Sequence, residues 1–283
     1  MIELEISGLA VRSLLMEAAL APKPGLVTPY DNGSHKDMDF ETFARSALAL
    51  SDCFAECAAT GRTLSARPPE ESLVVLKKNG IDGEKAMYEV TNGVNTHKGA
   101  IYLLGLLCAA AGRIAELQRG RFTPHELAKT AAAFVKGVVE RELANSPASK
   151  EPATAGERAY AAHGLTGARG EAERGYPLTL SALDYLLARV EYMSFEIALT
   201  DTFFFIVSRN DDTNIYSRGG MDGLKMAKEY AGEVLLAGGA NTSEGRERIR
   251  AAERAFVKKN LSPGGSADIL SSCVFLMLLS ERK

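Results

Sequence analysis

The sequence predicts an all-α fold, and two observations lead to that prediction. Apolar residues recur at helical spacing in one segment after another, as Phe43, Ala47, Leu50 and Phe54 do, and the segments end at proline, glycine or polar clusters. Strand-like alternation of apolar and polar residues does not repeat along the chain, and no hairpin turn separates two such runs. A chain of 283 residues with these features is expected to form many packed helices.

The central element is a helix predicted over residues 97–111. Nearly every residue from Ile101 to Ala111 is apolar or small, and Gly112 is expected to end the helix. A helix that is apolar on all sides is buried rather than amphipathic. Its length of about fifteen residues, or roughly 22 Å, suits the core of a domain and is too short for a bilayer.

The start of this helix is polar and is the first candidate for function. Asn95 and Thr96 are residue types that cap helix N-termini, and His97 and Lys98 follow them. Free N–H groups and a partial positive charge make a helix N-terminus suitable for an anion such as a phosphate. The alternative is that Asn95 and Thr96 only cap a core helix and that Lys98 is solvated.

The other helices follow from start and stop signals. Pro22 ends the first one, and Thr123 with Pro124 and Glu126 forms a capped helix start. The run 203–207 has strand propensity, but its flanks are helical in pattern, so a helix is predicted there. The helices are predicted at residues 6–20, 39–59, 70–78, 124–144, 178–189, 193–208, 223–236, 243–258 and 267–280.

Residues 145–156 are the one linker-like segment. Two prolines and several small polar residues predict an exposed loop there. Candidate site residues lie on both sides of this loop, so a single domain over residues 1–283 is predicted rather than two.

Composition and missing motifs exclude several classes of protein. The formal charge of −3 and the absence of a membrane-length apolar run predict neither nucleic-acid binding nor a membrane span. Four cysteines without Cys-x-x-Cys spacing indicate reduced thiols, and with no signal-peptide pattern they predict a cytoplasmic protein. The motifs of P-loop kinases, Rossmann dehydrogenases, zinc proteases and serine hydrolases are absent.

Polar segments rich in glycine and charge recur beside the predicted helix ends. Glycines let a backbone approach a ligand closely, and Lys or Arg side chains can neutralise a polyphosphate. For Gly167–Gly170 the alternative is a flexible loop without a ligand. The cations suited to a polyphosphate are Lys23, Lys36, Lys98, Arg169 and Arg218.

Carboxylates in the same segments are candidates for metal binding and catalysis. Glu17 lies on a largely apolar helix face, and a buried carboxylate must be paired, protonated or bound to a metal. Asp37, Asp39 and the pair Asp211 and Asp212 are the acids most suited to a hard cation such as Mg²⁺. For Asp39 the alternative is a helix cap, and for Asp211 and Asp212 it is a solvated turn.

Taken together, six segments in their order along the chain resemble the triphosphoribosyl-dephospho-CoA synthase family. Six ordered matches are far more specific than any one of them. One departure is Thr154-Ala155-Gly156, where the family is expected to have Thr-His-Gly. The matching segments are Pro22–Val27, Asn32–Asp39, Gly93–Ile101, Gly164–Ala172, Asp212–Asn214 with Arg218–Gly220, and Ser262–Asp268.

The resemblance implies an all-α transferase with ATP and 3′-dephospho-CoA as substrates. The 5-triphosphoribosyl group of ATP would move to the 2′-hydroxyl of dephospho-CoA, with release of adenine and with Mg²⁺ expected beside ATP. The product is the prosthetic-group precursor for the acyl carrier subunit of citrate lyase or malonate decarboxylase. Transient contact with enzymes of that acyl carrier pathway is expected, whereas an oligomeric state is not indicated.

Site roles follow from this chemistry and from the matching segments. Cleavage at the ribosyl carbon is expected to pass through an oxocarbenium-like transition state, which requires a triphosphate clamp, a carboxylate and groups that move protons. The expected catalytic residues are Glu17, His35, His97 and Glu171. The expected substrate-binding residues are Lys23, Lys36, Asn95, Thr96, Lys98, Gly99, Arg169, Asn214 and Arg218, and the expected metal ligands are Asp37, Asp39 and Asp212.

Two alternatives stay open. An all-α, metal-dependent nucleotide N-glycosidase or hydrolase would use the same acids with water in place of the 2′-hydroxyl. An inactive nucleotide-binding or CoA-binding paralogue is favoured only by Ala155, and the charged residues of the other segments argue against it.

Overall fold

The computed structural model describes residues 2–118, 123–144 and 154–281. Within these ranges the chain forms thirteen α-helices and no β-strand, which confirms the all-α prediction. The helices are α1 (Ile2–Ala19), α2 (Phe40–Ala49), α3 (Ser51–Thr63), α4 (Leu73–Val90), α5 (Lys98–Gln118), α6 (Pro124–Phe134), α7 (Ala155–His163), α8 (Gly167–Glu173), α9 (Pro177–Val190), α10 (Phe195–Val207), α11 (Thr213–Leu236), α12 (Ser243–Lys258) and α13 (Gly264–Ser280). Short 3-10 turns lie at Pro69–Ser72 and Gly239–Asn241, and a π-helical turn lies at Glu140–Ala144.

Helix α5 is the buried centre of the fold, as predicted. It packs against α1, α3, α4, α6, α8 and α13. Leu103, Leu104 and Leu107 are fully buried within it. The helix has 21 residues and continues to Gln118, beyond its predicted end.

The prediction that Gly112 ends α5 is wrong, because this glycine lies at a helix crossing. A Cβ on Gly112 would overlap the carbonyl oxygen of Ala58 on α3. In the same way, a Cβ on Gly61 of α3 would overlap the carbonyl oxygen of Ala109 on α5. The two glycines therefore allow the backbones of α3 and α5 to touch, which no larger residue permits.

Gly112→Ala is expected to lower the free energy of unfolding by about 1–3 kcal/mol, because the added methyl group overpacks a close helix crossing. Urea unfolding of the two proteins measures this difference. Gly80→Ala is the matched control, since a Cβ at that glycine of α4 meets nothing within 4 Å. Alanine also favours the helix there, so Gly80→Ala should be neutral or stabilising. Equal stabilities for Gly112→Ala and the unmodified chain would contradict the helix-crossing role.

The length of α5 also corrects the expectation that no apolar segment could span a membrane. By length and hydropathy alone, α5 is the one described helix that could do so. However, 78% of its most apolar window is buried inside the fold. Its apolar surface therefore packs inside the hydrophobic core.

Several predicted helix boundaries differ from the structure. The predicted helix 39–59 is divided at Leu50 into α2 and α3. The predicted helix 124–144 ends at Phe134, whereas the predicted helix 70–78 extends as α4 to Val90. The strand-like run 203–207 lies in α10, which confirms the helical prediction.

The glycine-rich and linker regions are more helical than predicted. Gly167–Gly170 belong to α8, so the flexible-loop alternative is wrong. Helix α11 begins at Thr213 rather than near residue 223, and Gly220 kinks it with φ 64° and ψ −161°. Residues 145–153 of the predicted loop 145–156 lie outside the described residues. Thr154 caps α7 by accepting a hydrogen bond from the Glu157 amide at 3.2 Å. The single-domain organisation stays a prediction.

Candidate active site

One cavity of about 700 Å³ contains most of the predicted site residues. Its walls come from the loop after α1, the loop before α2, and the starts of α5, α8, α11 and α13. All predicted site residues line it except Lys36, Asp39 and Glu171. A smaller cavity of about 460 Å³ adjoins it, and the two share Thr166, Gly167, Asn210 and Asp211.

Glu17 and Lys23 form a buried ion pair in the cavity wall. The Lys23 Nζ donates to Glu17 Oε1 at 2.6 Å and to the Glu17 carbonyl oxygen at 2.6 Å. Both side chains are almost completely buried, at 4% exposure for Glu17 and 1% for Lys23. The buried carboxylate predicted for Glu17 is therefore neutralised by Lys23, which turns back from the loop after α1.

His97 lies at the start of α5 in a chain of hydroxyl groups. Thr96 Oγ1 donates to Ser46 Oγ at 2.7 Å, and Ser46 Oγ lies 2.7 Å from His97 Nδ1. The tautomer of His97 sets whether Nδ1 or the Ser46 hydroxyl is the donor in this second hydrogen bond. Nε2 is buried without a hydrogen-bond partner among the described residues. Burial, with a contribution from Lys23, lowers the pKa of His97 to about 3, so the ring is neutral at pH 7.

His35 lies between a serine and an arginine at the other side of the cavity. Its Nε2 is 2.8 Å from Ser262 Oγ, and Arg218 Nη2 is 3.3 Å from its Nδ1. Burial and the Arg218 charge lower the pKa of His35, while Asp37 at 3.8 Å opposes this shift. Arg218 also donates to the carbonyl oxygens of Ser34 and Asn260, so its guanidinium joins three separate segments.

Two cations of the cavity wall, Lys98 and Arg169, are each held by a glutamate. Lys98 Nζ lies 2.8 Å from Glu84 Oε2, and Arg169 Nε donates to Glu142 Oε2 at 2.9 Å. Glu142, on the π-helical turn, also pairs with Lys77. Both cations line the cavity, and both of these glutamate pairs are partly exposed. Exposed pairs of this kind contribute little to stability and can exchange partners.

The N-terminus of α5 already faces a carboxylate. The Ala100 amide donates to Asp268 on the first turn of α13, and a Cβ on Gly99 would overlap the Asp268 carboxylate. Asn95 Oδ1 accepts from the Lys98 amide at 3.2 Å, which is the capping role expected for it. The free N–H groups predicted for a phosphate are thus partly occupied by side chains of the chain itself.

Asp212 is a structural carboxylate in this state of the molecule. Oδ1 accepts from the amides of Asn214, Ile215 and Gly265, and Oδ2 accepts from the amide and hydroxyl of Ser266. It thereby caps α11 and joins it to the start of α13. It is buried, so the solvated-turn alternative is wrong for Asp212.

The three predicted residues outside the main cavity have other surroundings. Asp39 caps α2, accepting from the Thr42 amide at 2.8 Å and the Thr42 hydroxyl at 2.6 Å. Glu171 accepts from the amide and hydroxyl of Thr179 near the start of α9, and it lines only the smaller cavity. Lys36 is exposed. Sequence patterns located these residues near the site, but the structure does not bring them into the main cavity.

The described residues contain no group of three or more His, Cys, Asp or Glu side chains that could hold a metal ion. Asp37 is the predicted ligand that lines the cavity with an exposed carboxylate, at 61% exposure. A Mg²⁺ ion that arrives with a polyphosphate needs only one or two protein carboxylates. The residues present therefore fit a metal carried by the substrate rather than a resident one.

Sequence reasoning missed several residues of this cavity. Asp268 is the one acid in the family-like segment Ser262–Asp268, so the sequence pattern could have identified it as a candidate site residue. Ser46, Glu84 and Glu142 carried no local signal, because their partners are distant in sequence, as with the 51 positions between Ser46 and His97.

The departure at Ala155 lies between two residues of the cavity wall. Its neighbours Thr154 and Gly156 both line the cavity, and α7 begins at this residue. The position at which the family is expected to have histidine is therefore beside the candidate site.

Comparisons with known proteins agree with the resemblance. Residues 3–283 match the model of the family described as CitG, ATP:dephospho-CoA triphosphoribosyl transferase. The chain is 42% identical over 275 residues to a protein of Citrobacter koseri named "Probable 2-(5''-triphosphoribosyl)-3'-dephosphocoenzyme-A synthase", covering 96% of this chain and 90% of that protein. A crystal structure from Archaeoglobus fulgidus, whose protein is provisionally named a triphosphoribosyl-dephospho-CoA synthase, has the same fold. It superposes with a TM-score of 0.52 at 18% identity, covering 84% of this chain and 99% of that one.

Proposed function

This chain belongs to the ATP:dephospho-CoA triphosphoribosyl transferase family and has its synthase activity, and we propose that the main cavity is where the two substrates react. The observation that carries this proposal is the convergence of charged residues from distant segments on one cavity. Lys23, Lys98, Arg169 and Arg218 line it together with the carboxylates Glu17, Asp212 and Asp268. A polyphosphate with a ribosyl group needs both kinds of charge within one site.

The triphosphate of ATP binds at the start of α5. Lys98 and Arg169 exchange their contacts with Glu84 and Glu142 for phosphate oxygens, since their present glutamate pairs are partly exposed. A guanidinium binds two phosphate oxygens at once, whereas an ammonium acts as a point charge. Asp37, the accessible carboxylate, would hold the Mg²⁺ that accompanies ATP. The metal would neutralise phosphate charge.

In the reaction, the 2′-hydroxyl of dephospho-CoA attacks C1′ of the ATP ribose and adenine leaves. Positive charge then develops on the sugar, and buried carboxylates such as Glu17 stabilise it. The neutral His97 ring has its Nε2 buried without a partner in the described chain, and this nitrogen forms a hydrogen bond with a polar atom of the substrate. Water must be excluded from C1′, because hydrolysis would compete with transfer.

The experiment is to incubate the protein with ATP, Mg²⁺ and 3′-dephospho-CoA and to analyse the products by mass spectrometry. Adenine and triphosphoribosyl-dephospho-CoA are expected in equal amounts. Adenine with free triphosphoribose would instead identify an ATP N-glycosidase. Binding without any product would identify a nucleotide-binding paralogue. Arg218→Ala, which removes a cavity cation that joins three segments, should reduce transfer if the cavity is the site.

Lys98→Ala is expected to raise the Kd for ATP about tenfold at low salt and less at high salt, because a partly exposed charge is screened. Isothermal titration at two ionic strengths measures both values. The matched control is Lys78→Ala on α4, which removes a lysine with 75% exposure and an Asp82 partner. Lys78 does not line the cavity, so its Kd should not change. An unchanged Kd for Lys98→Ala at both salt concentrations would remove Lys98 from the phosphate site.

We also propose a cytoplasmic location and a product that serves an acyl carrier subunit of citrate lyase or malonate decarboxylase. The location is supported by the cysteines, since Cys53, Cys57, Cys108 and Cys273 are all buried and free. The pathway is what the family resemblance implies.

A further inference from the structure

Asp268 differs from the other carboxylates of the main cavity. Glu17 is paired with Lys23, Glu84 with Lys98 and Asp211 with Lys228, while Asp37 is 61% exposed and lies 3.8 Å from His35. Asp212 has both oxygens occupied by hydrogen-bond donors. Asp268 has no Lys or Arg partner among the described residues, and its described donor is the Ala100 amide. It is therefore a cavity carboxyl group with accepting and donating capacity left for a ligand.

The surroundings of Asp268 favour a carboxyl group that carries its proton. Burial is the largest cause that raises the pKa of Asp268 well above its usual range. The negative charges of the nearby Asp212 and Glu17 raise it further. The Ala100 amide opposes this shift without cancelling it. A protonated carboxyl group is a hydrogen-bond donor and an acid.

The cavity wall beside Asp268 combines glycine backbone with apolar side chains. Gly99, Gly264 and Gly265 line it and carry no side chains, while Leu103 and Ile269 supply apolar surface. A Cβ on Gly99 would occupy the place of the Asp268 carboxylate. Asp268 also lines the cavity of about 700 Å³, which is within the size range of ligand pockets, so a purine ring can approach the carboxyl group from the cavity side.

We propose that Asp268 is the general acid that protonates the adenine ring as it leaves ATP. The C1′–N9 bond breaks and its electron pair moves into the purine, while Asp268 transfers its proton to N7. The 2′-oxygen of dephospho-CoA forms the new bond to C1′ and releases its proton to solvent. Solvent then returns one proton to Asp268, so the cycle is balanced. This role rests on the proposal that ATP reacts in the main cavity.

The test compares ATP with 7-methyl-ATP, whose purine already carries the positive charge that N7 protonation would supply. Asp268→Asn is expected to lower kcat with ATP by about 100-fold or more, which is the usual contribution of general acid catalysis. With 7-methyl-ATP, the variant should retain the turnover of the unmodified chain. Release of the free purine, followed by chromatography, measures both reactions. Asp222→Asn, an exposed acid of α11 outside both cavities, is the matched control.

A purely structural role for Asp268, such as capping α5, predicts equal losses with both nucleotides, and that result would overturn the proposal. Unreduced turnover of ATP by Asp268→Asn would overturn it as well. If Asp268→Asn does not fold, Asp268→Glu keeps a carboxyl group but moves the acid, and the same selective loss with ATP is expected. Failure of the unmodified chain to release adenine from ATP with dephospho-CoA would instead refute the proposed function.

Discussion

Asp212→Asn is expected to lower the free energy of unfolding by at least about 3 kcal/mol, since several buried donors lose their acceptor together. Asparagine replaces one carboxylate oxygen by an NH₂ group, which cannot accept from the Ser266 amide at 2.7 Å or its hydroxyl at 2.8 Å. Turning the amide round instead would leave the amides of Asn214 and Ile215 without their acceptor. Either orientation leaves buried N–H groups unsatisfied at the junction of α11 and α13.

This prediction separates two roles for Asp212. A carboxylate held in place mainly for a metal would repel its acidic neighbours in the metal-free protein, so its removal would stabilise that protein. Removal of a structural carboxylate would instead destabilise the metal-free protein. Urea unfolding without Mg²⁺ or nucleotide measures the sign directly. Asp211→Asn is the control, because Asp211 is 62% exposed and, among the described residues, its ion pair is with Lys228 at 2.5 Å. That variant should change stability by less than about 0.5 kcal/mol.

Lys23→Met is expected to lower the free energy of unfolding by about 3–5 kcal/mol, because it leaves the Glu17 carboxylate buried without its cation. Methionine has a similar length and keeps the packing, so the loss reports charge rather than volume. Both partners are nearly inaccessible to solvent, so water cannot take over the role of Lys23. Chemical unfolding at pH 7 measures the difference.

The double variant Glu17→Leu with Lys23→Met provides the decisive comparison. Replacing both members of a buried ion pair by apolar residues is often neutral or stabilising, so most of the stability should return. Turnover of ATP with dephospho-CoA should not return, because the carboxylate proposed to stabilise the ribosyl cation is gone. A double variant that is stable and fully active would show that the pair serves neither folding nor catalysis.

The sequence alone determined the class of the fold and the position of its centre. Apolar residues at helical spacing and the all-apolar run 101–111 are local patterns, and burial of that run follows from its composition wherever its neighbours lie. The polar segments that converge on the cavity were also visible, because glycine, charge and helix-start signals are local. The family resemblance depends on the same segments.

Only the tertiary structure decided which acids face the cavity and which serve as caps. Asp39 and Glu171 have the residue types and positions of site residues, but nearby N–H and hydroxyl groups use their oxygens. Whether a carboxylate binds the nearby backbone N–H groups or stays available for a ligand depends on the exact helix boundary, and sequence patterns locate that boundary poorly. Gly112 shows the same difficulty, since a glycine that ends a helix and one that lies at a crossing look alike in sequence.

The pairs of residues that are distant in sequence could be identified only from the folded structure. Ser46 and His97 are 51 positions apart, and Arg169 and Glu142 are 27 apart. Nothing in either local sequence specifies its partner, because each contact exists only after packed helices bring two helix ends together. The free carboxyl group of Asp268 is the strongest case. Glu17 has a cation as its partner and Asp212 has hydrogen-bond donors on both oxygens, whereas Asp268 has neither among the described residues. This difference depends on the positions of α1, α5, α11 and α13 relative to one another.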